Sequence, residues 1–165
     1  MSLQPILFVD RDGTLIEEPA DFQIDALAKF RLVPGVIPAL LKLKAAGYEF
    51  VMVSNQDGLG TDSFPEATFW PAHNKMIKTL ENEGIAFRTV HIDRSFKHEN
   101  LPTRKPSTAM LNAYMQSHVD LQNSYVIGDR MTDMQLAQNL GAKGILLRND
   151  SGIQAENTSG LTLQH

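Results

Sequence analysis

No cysteine occurs anywhere in the chain, which excludes disulfides and thiolate-held metals. The same absence suits a reducing compartment. Long apolar runs are missing too: nothing approaches the roughly 20 residues of a membrane span, so no membrane partner is expected. The N-terminus has no basic region followed by an apolar stretch, so no secretion signal is read, and a cytoplasmic location is expected. The formal net charge is −4 with no basic stripe, and a nucleic-acid partner is not expected. No internal repeat is visible. What remains is 165 residues with an ordinary apolar share of 42%, enough for one domain with a real core.

Within it, short apolar runs alternate with helical patterns. Pro5 to Val9, Tyr48 to Val53, Phe87 to Ile92, Ser124 to Ile127 and Gly144 to Leu147 read as strands. Val36, Ile37, Leu40, Leu41 and Lys44 share one helical face between Pro34 and Gly47. Further helices are expected from about Glu66 to Glu83, from Pro106 to about His118, and from a capping box at Thr132 and Gln135 to Gly141. Near-continuous apolar strands separated by helices predict an α/β fold, a Rossmann-like parallel sheet sandwiched by helices. Residues 1–148 are expected to form this domain. Residues 149–165 turn polar and read as a tail, a linker or a truncation point.

Two carboxylates, Asp10 and Asp12, stand two residues apart between the first strand and a Gly13-Thr14 turn. Two acids in one site can divide the labour, one attacking and the other shuttling a proton, and they can hold a hard cation. Ser54 follows the second strand, Lys105 precedes the helix after the third, and Asp129 and Asp133 follow the fourth. In a parallel sheet all of these reach one edge, where ligands of such folds bind. The set suits attack on a phosphate monoester. Mg²⁺ held by Asp10 and Asp129 and the ammonium of Lys105 would offset the repulsion between a dianion and a carboxylate. Asp133 would complete the metal's shell or orient it through water. Ser54 offers a hydroxyl to a phosphoryl oxygen, and Asp12 suits the proton shuttle. Taken singly, each motif has a plainer reading: Asp-x-Asp-Gly as a turn, Ser54 as a strand-end residue, Lys105 as solvated surface.

In this order, Asp10-Arg11-Asp12-Gly13-Thr14, Ser54, Lys105 and Gly128-Asp129-Arg130-x-x-Asp133 resemble the four motifs of the haloacid dehalogenase superfamily of phosphohydrolases. The resemblance spans about residues 6 to 147. It implies Asp10 as nucleophile, Asp12 as acid/base, Ser54 and Lys105 as phosphate-binding residues, and Mg²⁺ on Asp10, Asp129 and the backbone carbonyl of Asp12. The lengths between motifs leave no room for a large cap domain. The stretches Gly13 to Gln23 and Asn55 to Gly60 are similar to the histidinol-phosphate phosphatase branch, which occurs in nature joined to a dehydratase. That similarity implies L-histidinol phosphate as the small-molecule substrate, with Asn55 beside it. Glu17 and Glu18 then carry two readings, a solvated loop or contact with the substrate's cationic amine; Asp57 and Gln23 are further candidates. A heptose bisphosphate phosphatase, and a non-catalytic binding module on the same fold, are the alternatives. Many relatives hold zinc in a Cys/His loop before the Arg104-Lys105-Pro106 segment. Here residues 93–103 lack thiolates, structural zinc is not expected, and Phe96 and Leu101 are expected to pack the loop instead. Trp70, His73 and His91 read as packing residues.

Overall fold

The computed structural model describes residues 2–116 and 118–148. The polar stretch 149–165 lies outside the described residues. The strands are β1 (Ile6–Val9), β2 (Glu49–Asn55), β3 (Phe87–Asp93), β4 (Tyr125–Gly128) and β5 (Lys143–Leu146), and the helices are α1 (Val36–Ala45), α2 (Glu66–Asn82), α3 (Asn112–Met115) and α4 (Met131–Leu140). The sheet is parallel throughout, in the order β3-β2-β1-β4-β5. β1 is central, so the chain leaves it first to one side and then to the other, and the sheet-edge crevice opens above it.

Strand alternation divides the core into two layers. Leu7, Val9, Phe50 and Met52 face one way and pack with Leu40 of α1 and with Ala72, Met76 and Leu80 of α2. Ile6, Phe8, Val51, Val53 and Val126 face the other way and meet Tyr114 of α3 and Leu136, Ala137 and Leu140 of α4. Both faces of the sheet are covered, so the strands are apolar on both sides.

Three expectations need correction. On α1 the inward face is Val36, Ile37, Leu40 and Leu43, while Leu41 stands 38% exposed. The helix begins at Val36, after a left-handed Gly35, so Pro34 lies outside it. The long helix after Pro106 is not formed. A 3₁₀ turn at Ala109–Leu111 leads into the single turn of α3. The amides of Ser107, Ala109 and Leu111 are taken by the carbonyls of Arg104, Pro102 and Thr108, so no α-helical ladder starts there. The expected box at Thr132 and Gln135 is not formed, because the helix already starts at Met131: the Asp133 carboxylate accepts from the Arg130 amide at 3.2 Å, and the Asp133 amide donates to the Arg130 backbone carbonyl at 3.0 Å.

Candidate active site at the sheet edge

β1 ends at Val9, and the Asp10 amide is still tied to the Ile127 carbonyl of β4 at 2.9 Å. The chain then folds around the Arg11 carbonyl, which accepts from the amides of Thr14, Leu15 and Ile16. This turn returns Asp12 to the same cavity wall as Asp10. It needs Gly13 in a left-handed conformation (φ 77°), where a Cβ would lie 2.1 Å from Asp129 Oδ2.

Lys105 is buried and its ammonium is fully employed. It donates to Asp10 Oδ1 at 2.7 Å, to Asp133 Oδ1 at 2.8 Å and to the Val53 carbonyl at 2.9 Å. Burial opposes its charge, but Asp10 and Asp133 outweigh that and hold it above the usual lysine range. Its position is set from two sides. The Asn55 carboxamide pairs with the Lys105 backbone in both directions, at 3.1 and 3.2 Å. The preceding loop is tied to Asp93, whose carboxylate accepts from the Ser95 amide, the Ser95 hydroxyl and, at 2.5 Å, the Thr103 hydroxyl. Although burial disfavours its charge, these donors hold Asp93 below the usual carboxylate range. The loop is therefore held largely by polar contacts. Phe96 packs beside Gly58 as expected, but Leu101 is 42% exposed and contributes no anchor.

Oxygens of Asp10, Asp129 and Asp133 lie within 4.8 Å of one another. Burial first, then the charges of Asp10 and Asp133, push Asp129 up to about 7. Burial likewise pushes Asp133 up to about 6 against the pull of Lys105. Asp129 Oδ1 is buried with no hydrogen-bond partner. A close group of hard oxygen donors with one oxygen unsatisfied, and with Gly13 leaving the space beside it clear, fits a divalent cation of the Mg²⁺ type.

The cavity has a volume of about 560 Å³, the size of a small-molecule site, and Asp10, Asp12, Glu18, Asn55, Lys105 and Asp133 are among its walls. Asp12 has both oxygens occupied, Oδ1 by Arg11 Nη1 at 2.6 Å and Oδ2 by Gln56 Nε2 at 2.8 Å. Burial raises its pKa against the attraction of Arg11. Ser54 is placed behind Gln56: its hydroxyl accepts from Gln56 Nε2 at 2.8 Å and only 1% of the residue is exposed. Glu18 reaches the cavity but is clasped by Arg130 through both oxygens, at 2.6 and 2.7 Å. Glu17 is exposed, and Gln23 and Asp57 line the rim, where Asp57 pairs with Arg104 at 2.6 Å.

Two residues of this arrangement were not singled out from sequence, Arg11 and Gln56. Gln56 stands two places after Ser54, hence on the same face of an extended chain, and its longer side chain covers the serine. Arg11 had a clearer signal, since a cation beside a fully apolar strand must find a buried anion. His73 and His91 behave as packing residues: His73 stacks on Phe69 at 5.1 Å, and His91 bonds Tyr114 at 2.9 Å.

Residues 102–160 match the HAD-hydrolase-like family. The chain is 56% identical over 165 residues to the histidine biosynthesis bifunctional protein HisB of Spirosoma linguale, covering 97% of this chain and 43% of that protein. It is 55% identical over 149 residues to the HisB of Stenotrophomonas maltophilia, covering 90% of this chain and 42% of that one. The chain thus spans less than half the length of these relatives. Among solved structures, the D,D-heptose 1,7-bisphosphate phosphatase of B. bronchiseptica, complexed with magnesium and phosphate, superposes with a TM-score of 0.76 at 26% identity, over 87% of this chain and 80% of that one.

Proposed function

This chain belongs to the haloacid dehalogenase-like hydrolases, and from that premise we propose that it hydrolyses L-histidinol phosphate to L-histidinol and inorganic phosphate through an aspartyl-phosphate on Asp10. The observation that carries the chemistry is Asp10 and Asp12 on one cavity wall with Lys105 Nζ 2.7 Å from Asp10. The similarity to HisB proteins over at least 90% of this chain supports the substrate.

Asp10 attacks phosphorus; the P–O bond to the alcohol breaks and the acyl phosphate forms. Asp12 gives its proton to the departing alkoxide. It then takes a proton from the water that attacks the acyl phosphate, phosphate leaves and Asp10 is restored. Lys105 holds Asp10 in place and lowers the charge that the dianionic substrate meets. Asn55 fixes the Lys105 backbone, and Ser54 acts through Gln56. Asp10, Asp129 and the backbone carbonyl of Asp12 would hold Mg²⁺, with Asp133 beside them; the bound cation supplies positive charge to the phosphoryl oxygens.

Asp10→Asn should abolish turnover, and beryllofluoride, an acyl-phosphate mimic, should bind wild-type protein at Asp10. Wild-type rates in Asp10→Asn would remove the nucleophile. The fold likeness to a heptose bisphosphate phosphatase makes that sugar phosphate the competing substrate. A higher kcat/KM for it than for histidinol phosphate would overturn the substrate reading while leaving the mechanism intact.

A further inference from the structure

Arg11 is the largest fully buried side chain of the described residues, and no step above uses it. Its Nη1 lies 2.6 Å from Asp12 Oδ1, while Nε and Nη2 have no hydrogen-bond partner. The guanidinium sits over the Phe69 ring, 4.7 Å from the centroid. His73 stacks on the same Phe69 ring, and burial and then Arg11 itself hold it down to about 4, so the imidazole is neutral. Asp12 is the hydrogen-bonded counter-charge of this cation. On the other carboxylate oxygen, Gln56 Nε2 places one hydrogen on Asp12 Oδ2 at 2.8 Å and the other on Ser54 Oγ at 2.8 Å.

We propose that Arg11 and Gln56 are positioning residues for Asp12, holding its two carboxyl oxygens so that the O–H of the protonated acid faces the leaving group. The proposal rests on Asp12 as proton donor, as set out above. A buried arginine with one carboxylate partner is a poor stability device, because well-packed apolar residues of similar volume do as well or better. Its worth lies in geometry. The terminal torsion of an aspartate is broad and roughly two-fold, and proton transfer to a leaving group requires that torsion to be held within hydrogen-bond reach of the departing oxygen. Arg11 sets it from the protein interior and Gln56 from the cavity side. Ser54 acts one step further out, because it orients the Gln56 amide.

The test separates positioning of a proton donor from general damage to the fold. kcat/KM covers all steps through departure of the alcohol. An alkyl phosphate such as histidinol phosphate needs its leaving group protonated; p-nitrophenyl phosphate, with a stable phenolate, does not. Gln56→Met should lower kcat/KM for histidinol phosphate by about 30-fold and change that for p-nitrophenyl phosphate by less than about 3-fold. Arg11→Met should show the same selectivity, and Arg11→Lys should recover part of the loss by keeping a cation near Oδ1. Asp12→Asn sets the full scale of the effect. An equal fall on both substrates in Gln56→Met, or no fall on either, overturns the clamp. If Asp12→Asn itself shows no selectivity, the donor role fails and the clamp fails with it. Should the Arg11 variants not fold, Gln56→Met decides alone, with beryllofluoride binding at Asp10 as the check that its site is intact.

Discussion

Glu18 illustrates how one contact redefines a residue. Its carboxylate is tied through both oxygens to Arg130, so the pair presents little net charge to the cavity. An amine-bearing substrate would meet Glu18 only by sharing it with Arg130. Glu18→Lys places two cations together there, and KM for histidinol phosphate should rise at least about tenfold more than KM for an uncharged-alcohol phosphomonoester, since like charges repel at close range. Equal changes for both substrates would remove Glu18 from recognition. His73 makes a second case at this scale. The native state keeps it neutral down to about 4, whereas an unfolded chain protonates it near the ordinary 6.5. Between those values the unfolded state binds the extra proton, so this contribution is complete above about pH 6.5 and is lost as pH falls toward 4, to at most about 3 kcal/mol. Urea midpoints at pH 7.5 and pH 5 should therefore differ less in His73→Gln than in the wild type. The acids common to both proteins cancel in that difference.

At the scale of elements, the junction between β4 and α4 carries Asp129 and Asp133, the acids proposed to face a metal, and its tolerance is set by distance. A Cβ on Gly128 would stand 2.1 Å from Asp133 Oδ2 and 2.2 Å from its Cγ. Asp133 cannot retreat, because Lys105 and the Arg130 amide hold it. Gly128→Ala should thus cost about 2 kcal/mol of stability in denaturant titration and lower kcat by about 100-fold. On the neighbouring strand, Gly144→Ala would meet Met134 Sδ at 2.8 Å, a flexible side chain that can move. It should cost less than about 1 kcal/mol and leave kcat near wild type. The loop before Lys105 shows the limits of reading an element from its composition. Phe96 was expected to pack and does, but Leu101 is exposed, and the work falls to the Asp93 carboxylate with Ser95 and Thr103. Hydrogen bonds between residues up to ten apart leave no periodic trace. The helix after Pro106 failed for a related reason: its first amides are spent on turns.

For the molecule as a whole, the charge of the site is the main electrostatic feature. Asp10, Asp129 and Asp133 crowd one corner against a single ammonium. A divalent cation that binds this corner in the folded state alone should raise stability by about 2.7 kcal/mol at a hundred times its dissociation constant. The melting temperature should climb with added Mg²⁺, fall back with EDTA, and hardly respond in Asp129→Ala. A melting temperature indifferent to Mg²⁺ in the wild type would remove the metal assignment. No helix of the described residues is long and apolar enough to cross a membrane.

The amino-acid sequence by itself determined the layered α/β plan and the edge at which the strand-end carboxylates gather. Apolar runs of strand length, helical spacing and strand-end carboxylates are local patterns, and local patterns survive in one dimension. Asp10, Asp12, Lys105 and Asp129 were legible because a parallel sheet sends every strand end to the same side. Only the tertiary structure decided what each of these groups touches. It put Lys105 between Asp10 and Asp133, hid Ser54 behind Gln56, tied Glu18 to Arg130, and gave Asp12 one donor from the core and one from the cavity. Those pairings join residues up to 112 positions apart. They follow from side-chain length, burial and the need of every buried charge for a partner, and these are settled only when the elements pack.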